Sequence, residues 1–251
     1  MKMKRKLLAT VNRGLLRVPV SAVLLAPLLV ANRAEAACTP VAPVSNATIV
    51  CSGNVDTQQG GVTGYGTFND NNNSYRVEAG AQVDGTSFGI RTGSGGTLTN
   101  LGIIDGPNGA GLTAGDVTVS NASGATISGF NGITASTLNL DNAGAIASGL
   151  QGHAIDATAV TVSSSGTIIG IGANSIGINA TTVNVTANTG TIAGVRFGVS
   201  VTADAAMANA GGVKATGANG VGITADGNAS IDNRGTISAL ASGASATFLI
   251  L

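Results

Sequence analysis

The chain has 251 residues, a length that one or two domains could fill. It contains 38 glycines and no tryptophan, and only 10% of its residues are charged, against about 25% in an ordinary soluble domain. Glycine, β-branched residues and asparagine all weaken helices. The composition therefore disfavours a helical protein and favours thin, closely stacked β-layers.

The net charge of zero hides two unlike parts of the chain. Residues 1–36 hold seven of the twelve Lys and Arg residues and one of the twelve acids. The rest of the chain carries five basic and eleven acidic residues, a net charge of about −6. Such a surface repels phosphate backbones and lacks the clustered Lys and Arg that nucleic-acid binding needs. We therefore expect no nucleic-acid partner.

The N-terminal segment has the layout of a secretory signal peptide. Six basic residues fall between Lys2 and Arg17, an apolar run follows over 18–31, and Ala34-Glu35-Ala36 matches an Ala-x-Ala cleavage site. A membrane anchor is the alternative, but a spanning helix needs about 20 apolar residues, and this run is shorter. We predict a signal peptide over 1–36 and export through the Sec translocon.

The two cysteines, Cys38 and Cys51, both follow the predicted cleavage point. In an oxidising compartment they can pair with each other, and closing so short a loop would stabilise the fold by about 3 kcal/mol. Zinc binding is the rival explanation, but two thiols and one distant histidine cannot complete a tetrahedral shell. We predict a disulfide and no metal or small-molecule cofactor.

A repeat of about 22 residues dominates the rest of the chain. The segments 98–104, 140–146 and 231–237 each read apolar-x-Asn-x-Gly-x-Ile, and weaker copies lie between them. Three apolar columns and a recurring asparagine keep this period. The first column is Leu98, Val119, Leu140, Val162, Val185, Met207 and Ile231. The second is Ile104, Ile127, Ile146, Ile168, Ile192, Val213 and Ile237. The third is Ile90, Leu112, Ile133, Ile155, Ile178, Val199 and Ile223, and the asparagines are Asn100, Asn121, Asn142, Asn209 and Asn233.

This period predicts an all-β fold, a right-handed parallel β-helix with about 22 residues per coil. Three short strands and three turns make one coil, and coils stack at about 4.8 Å, so equivalent residues lie directly above one another. The apolar columns fill the interior, and the turn asparagine can bond to the backbone and to its stacked neighbours. We expect an N-terminal cap with the disulfide over 37–76 and about eight coils over 77–251.

The chain resembles the start of autotransporter passenger proteins of Gram-negative bacteria. The resemblance is carried by the leader ending Ala-Glu-Ala, by Cys38-Thr-Pro40 and Cys51-Ser-Gly53, and by the Asn-x-Gly-x-Ile coils. It implies export and display at the cell surface through a C-terminal outer-membrane barrel, which this chain lacks. We therefore expect a passenger fragment truncated at the C-terminus, located in the periplasm or at the cell surface. Passengers share no catalytic residues that could be transferred to this chain.

Two motifs resemble parts of catalytic sites. Gly85-Thr-Ser87-Phe-Gly89 matches the nucleophile elbow of serine hydrolases, and Asp141 and His153 follow in the required order. The elbow needs a strand-turn-helix, however, and no helix signal follows Ser87. His153, the only histidine, lies beside glycines as in pectin-degrading β-helix hydrolases, but those enzymes need clustered aspartates and no two acids are adjacent in this sequence. We expect His153 to lie in a turn or to face solvent.

The segment 70–81 is a weak match to a calcium-binding loop. Asp70, Asn72 and Ser74 have the alternate spacing of such a loop, but Tyr75 and Ala81 stand where glycine and glutamate are required. We predict a polar loop at this point.

The sequence therefore predicts a non-enzymatic structural or interaction protein, a surface adhesin with a host-cell or matrix ligand. The alternative is a secreted β-helix polysaccharide lyase or glycoside hydrolase. A cleft lined by several acids with raised pKa values would favour that alternative.

Overall fold

The structure is a computed structural model that describes residues 37–58 and 61–240, and the predicted signal peptide lies outside these residues. The described residues form 21 strands and no helix. The strands are β1 (Ala37–Thr39), β2 (Thr48–Ser52), β3 (Asn54–Asp56), β4 (Thr63–Tyr65), β5 (Ser74–Val77), β6 (Gln82–Asp84), β7 (Phe88–Arg91), β8 (Gly96–Asn100), β9 (Ile103–Asn121), β10 (Thr126–Asn142), β11 (Ala145–Ser148), β12 (Ile155–Ser164), β13 (Thr167–Ile169), β14 (Ile176–Asn188), β15 (Thr191–Gly194), β16 (Phe197–Val201), β17 (Ala205–Asn209), β18 (Gly212–Ala215), β19 (Val221–Ala225), β20 (Ala229–Asn233) and β21 (Thr236–Ala239).

These strands wind into a parallel β-solenoid of about nine coils with about 22 residues each, which confirms the predicted fold class. Each coil contributes one segment to each of three faces. Face A begins with β2, β5 and β8; face B begins with β3 and β6; face C begins with β4 and β7. Two long strands each pass through all three faces: β9 covers faces B and C of the third coil and face A of the fourth, and β10 covers faces B and C of the fourth coil and face A of the fifth. The register between β9 and β10 shifts once, between Gly129 and Asn131.

The register of the parallel pairs aligns one apolar column inside each face. Leu98 pairs with Val119, Ile104 with Ile127, and so on through the columns that the sequence indicates. Side chains alternate between the interior and the surface along a strand, so the paired positions all point inward. Nearly all the members are buried; Ile231 and Ile237, in the last described coil, are partly buried.

The columns extend further toward the N-terminus than the sequence pattern indicates. Ile49 and Tyr75 precede Leu98 inside face A, Val55 and Val83 precede Ile104 inside face B, and Tyr65 precedes Ile90 inside face C. The segment 37–76, predicted as a cap, therefore holds the first coil. It also holds β1, which pairs with β2 in an antiparallel hairpin.

The Asn-x-Gly motif, which reads Ser-x-Gly at 164–166, marks the tight corner between faces A and B. The N–H of Gly166 donates to the carbonyl oxygen of Asn142 in the preceding coil at 3.0 Å. A β-carbon at Gly166 would lie only 2.0 Å from the carbonyl oxygen of Gly144. Glycine is required here because the stacked corners approach too closely for any side chain.

Candidate interaction surface

The predicted asparagines form a ladder inside the corner between faces A and B. The side-chain nitrogen of Asn100 donates to Asn121 at 2.9 Å, and that of Asn121 donates to Asn142 at 2.9 Å. Each of the three also donates to a backbone carbonyl in the next coil, as Asn121 does to Ala145 at 3.2 Å. All three are buried, and the ladder satisfies the polar groups that this burial removes from water.

The ladder is interrupted at Ser164 and resumes at Asn188, a member that the sequence analysis missed. Asn142 donates to the hydroxyl of Ser164 at 3.2 Å, and Asn188 donates to Asn209 at 2.7 Å. Asn209 then donates to the exposed Asn233 at 2.6 Å. The side-chain oxygen of the buried Asn188 has no partner among the described residues. The ladder is therefore broken between the serine and Asn188.

The N-terminal end is closed by the disulfide that the sequence predicts. Cys38 and Cys51 are opposite each other in the β1–β2 hairpin, fully buried and bonded. Gln58 fixes the same hairpin. Its side chain accepts from the N–H of Cys38 at 2.8 Å and donates to the carbonyl oxygen of Cys38 at 2.7 Å.

The segment that weakly matches a calcium loop forms hydrogen bonds within the protein. The fully buried Asp70 carboxylate accepts from the Thr67 hydroxyl at 2.8 Å and from the N–H of Val44 at 3.1 Å. Asn72 instead donates to Asn46, which lies in the chain segment packed over this loop. The described residues contain no group of three or more His, Cys, Asp or Glu side chains that could hold a metal ion.

The structure does not bring the serine-hydrolase candidates together. Ser87 lies in the second coil and is followed by β7, not by a helix. His153 lies at the corresponding corner of the fifth coil, which places it about 14 Å away along the axis. Asp141 is exposed on face A of that coil. A serine–histidine hydrogen bond is impossible in this arrangement.

His153 lies in the turn before β12, as predicted, but it is half-buried and not solvent-facing. Burial lowers its pKa, and the nearby Asp156 opposes that shift. Its Nδ1 atom is buried without a partner among the described residues. The backbone N–H of His153 donates to the side chain of Asn131 at 2.8 Å, which fixes the turn to the preceding coil.

Acids distant in the sequence meet on the outside of face B. Asp56, Asp84 and Asp105 occupy equivalent positions in the first three coils. Burial raises the pKa of Asp84, and the charges of Asp105 and Asp56 add to the shift, while a hydrogen bond from Gln82 opposes it. This row is not visible in the sequence, because its members become neighbours only through the coil register.

The outside of face A is a regular polar surface. One row consists of Thr97, Thr118, Asn139, Thr161, Asn184, Ala206 and Ser230. A groove of about 400 Å³ runs beside this row where face C turns into face A, and Thr182, Asn184 and Asp204 line part of it. Hydroxyl and amide groups therefore recur along the solenoid at the coil spacing of about 4.8 Å.

Apolar side chains are exposed at a different corner, between faces B and C. Phe130, Leu150 and Ile171 occupy this corner in three successive coils, with exposed fractions of 42%, 78% and 56%. Their turns, spanning 129–131, 149–153 and 170–175, contain no Asp, Glu, Lys or Arg. The lateral surface thus combines polar rows with one uncharged apolar edge.

Comparison with known proteins gives no relative for this chain. No family model, no curated protein and no solved structure matches it. Within the described residues there is no helix of sufficient length and apolar character to cross a membrane.

Proposed function

We propose that this chain is an exported β-helical passenger of the autotransporter type that acts as an adhesive interaction protein, without enzymatic activity. The parallel solenoid is the architecture expected of such a passenger. The Cys38–Cys51 disulfide supports export, because disulfides persist in oxidising compartments and are rare in the cytosol. The leader over 1–36 and the Cys-flanked entry support the same route.

The observation that carries the adhesive role is the regular outer surface of face A. Hydroxyl or amide side chains occupy six of the seven positions of one register row, and Ala206 is the exception. A surface of this kind can bind a repetitive or extended ligand through many equivalent weak contacts. Function is thereby assigned to the surface and not to the fold alone.

Display is tested by fusing the full chain, with a tag inserted directly after the predicted cleavage site at residue 36, to a heterologous autotransporter translocator. We expect the tag to be accessible on intact cells and the solenoid to resist added protease. The matched control carries Ile155→Asp, which disrupts the interior and should abolish the protease resistance. A fusion that stays in the periplasm while its translocator assembles would contradict the passenger role.

Adhesion is tested with the same cells on cultured host cells and on extracellular-matrix proteins. Cells that display the chain should bind more than cells that display the translocator alone. Equal binding by both strains to every surface would remove the adhesive assignment and leave the display result unaffected.

The second candidate, a secreted polysaccharide-degrading enzyme, is favoured by one observation, the row of Asp56, Asp84 and Asp105. An acid with a raised pKa beside two others is an arrangement that general acid catalysis can use. This candidate predicts release of reducing ends from pectic or other acidic polysaccharides. Such release must be lost in Asp84→Asn and kept in Asp116→Asn, an exposed aspartate on another face.

A further inference from the structure

An arginine on the outside of face C lies between two aromatic rings. The guanidinium carbon of Arg91 is 4.0 Å from the centre of the Phe68 ring and 4.5 Å from that of Phe88. Two rings therefore contact one guanidinium at cation–π distance. The guanidinium N–H groups donate to no acceptor among the described residues, so they remain for other partners.

Arg91 has no acidic partner among the described residues, where ion pairs form at Arg76–Glu78 and Arg234–Asp232. Acids outnumber basic residues eleven to five beyond residue 36, so an intramolecular partner would be easy to supply. A partly buried charge without a counter-ion is unfavourable. The position therefore suits an anion that comes from outside the chain.

Two orphaned polar atoms belong to neighbouring residues on the outside of face C. The Nε of Arg91 is buried without a hydrogen-bond partner in the described residues, and so is the hydroxyl of Thr113. Arg91 and Thr113 are paired in register on adjacent strands, so their side chains share one face. Thr113 is only 8% exposed, whereas Phe68, in the loop before β5, is 52% exposed. A ligand would reach the two buried atoms only by displacing a side chain that covers them, and Phe68 is an exposed side chain already in contact with Arg91.

We infer that Arg91, Thr113 and Phe68 form a binding site for the carboxylate of an acidic saccharide. The edge of a guanidinium binds a carboxylate through two parallel N–H···O bonds. The Thr113 hydroxyl supplies a third donor, and the exposed Phe68 ring supplies an apolar surface on which a sugar ring can stack. Both unpartnered atoms of this site, the Arg91 Nε and the Thr113 hydroxyl, can donate a hydrogen bond. The site therefore favours an anion over a cation.

The face beyond Arg91 favours a saccharide with a single carboxylate. Thr113 is followed in register by Thr134 and then by Asp156, about 14 Å from Arg91 along the axis. The hydroxyl of Thr134 can bond to neutral sugar hydroxyls, whereas Asp156 would repel a second carboxylate. The ligand therefore places its acid at Arg91 and extends its neutral part toward the central coils.

This inference deepens the proposed adhesive function by naming a ligand class, and the two can fail separately. Binding is measured on the purified full chain, whereas display and adhesion are measured on cells. The probes are D-glucuronate and neutral D-glucose, and the binding of each is monitored by nuclear magnetic resonance titration. We expect glucuronate to bind in the millimolar range and glucose to bind about tenfold more weakly or not at all. A tripeptide with a free C-terminal carboxylate, compared with its amide, tests whether any carboxylate suffices.

Four variants locate the site. Arg91→Gln should weaken glucuronate binding at least about tenfold, and Arg91→Lys by about three- to tenfold, because lysine keeps the charge but loses the planar fork. Thr113→Val should weaken it by about threefold. Arg196→Gln is the matched control, because Arg196 also lies over a phenylalanine ring, 4.8 Å from the centre of Phe197, but has no orphaned hydroxyl beside it. It should bind like the original chain.

Each outcome supports or overturns the proposed site, provided that circular dichroism shows the variants to be folded. If Arg91→Gln does not fold, Arg91→Lys and Thr113→Val carry the test. Unchanged binding in the Arg91 and Thr113 variants, or an equal loss in Arg196→Gln, would overturn the site. Equal binding of glucuronate and glucose would overturn the role of the carboxylate. If the tripeptide acid binds and glucuronate does not, the assignment of a saccharide as the ligand would be overturned.

Discussion

At one register position near the end of each face A strand, the first coil has Cys51 and the second has Val77. The coils from the third onward have asparagine at this position, except for Ser164. The N-terminal coils close this corner with a covalent bond and an apolar contact, and the central coils close it with a hydrogen-bonded ladder. A single backbone register therefore accommodates two chemically different ways of stabilising the same corner.

The interiors differ in the same way. The first two coils contain Tyr65 and Tyr75, whose rings meet edge to face with their centres 6.1 Å apart. The Tyr75 hydroxyl donates to Thr92 at 3.0 Å and accepts from Asn73 at 3.1 Å. The central coils use aliphatic side chains in the same columns. The N-terminal end thus depends on a few specific partners, whereas the central coils depend on repetition, in which each coil stabilises its neighbours.

The largest expected effect comes from breaking an interior column of the central coils. Ile155 is fully buried between Ile133 and Ile178. Ile155→Asp buries an unpaired charge, and we expect it to lower the free energy of unfolding by more than about 4 kcal/mol or to prevent folding. Urea denaturation followed by circular dichroism measures this. Thr161→Asp, on the outside of the same strand, should stay within about 0.5 kcal/mol, and equal tolerance at both positions would mean that the interior is misassigned.

The next effect isolates the N-terminal end. Replacing both cysteines, Cys38→Ser with Cys51→Ser, removes the cross-link, and we expect a loss of about 3 kcal/mol. The loss should be local, because coils contact only their neighbours. Hydrogen exchange should accelerate in β1 to β4 and stay unchanged in β10 to β14. Uniform acceleration throughout the solenoid would show that the two regions are not energetically separate.

The ladder of the central coils is tested at its middle. Asn121→Ala removes the bonds to Asn142 and to the Ala145 carbonyl, and it leaves Asn100 with one acceptor fewer. We expect a loss of about 1–3 kcal/mol, the cost of leaving buried polar groups unpaired. The exposed Asn139→Ala should change stability by less than about 0.5 kcal/mol. Similar losses at both positions would argue against a special role for the ladder.

The difference between the two regions also explains what the sequence could predict. Where coils repeat the same residue types at nearly constant steps, as from Leu98 to Leu140, the columns and the fold are readable from the period. The first coils cannot be recognised from the period, because tyrosines replace aliphatic residues there and the loop over 66–73 lengthens the spacing between column positions. Asn188 was missed because a bulge adds one residue after Val185 and shifts the spacing.

Surface sites are less readable from the sequence than the interior. Arg91 and Thr113, or Asp56, Asp84 and Asp105, are neighbours only because the register stacks residues more than twenty positions apart. Polar surface positions carry no periodic constraint that would reveal such groups in a single sequence. The signal that could have found them is the outward position beside each apolar column, read from coil to coil.

Completing the ladder should have a smaller effect of the opposite sign. Ser164 is buried between Asn142 and Asn188, and the Asn188 oxygen lacks a donor among the described residues. Ser164→Asn can supply that donor, and we expect the free energy of unfolding to rise by about 0.5–1 kcal/mol. Ser163→Asn, on the outer side of the same strand, is the control and should give no gain. A gain that persists in an Asn188→Ala background would contradict the explanation, because the acceptor is then absent.

The smallest effect concerns the charge row of the first three coils. Because burial raises the pKa of Asp84 above its unfolded value, the folded state favours the protonated form. The stability that this proton contributes is fully present below the unfolded pKa of 3.8 and is lost as the pH rises through the folded pKa. Asp84→Asn should therefore stabilise the protein at pH 7, by about 0.5 kcal/mol for a partly exposed charge, and should have little effect near pH 3. Urea denaturation at both pH values tests this, with the exposed Asp116→Asn as a control for the change in net charge. A gain that is equal at the two pH values would show that the substitution acts through packing, and a loss at pH 7 would mean that the Asp84 charge stabilises these coils.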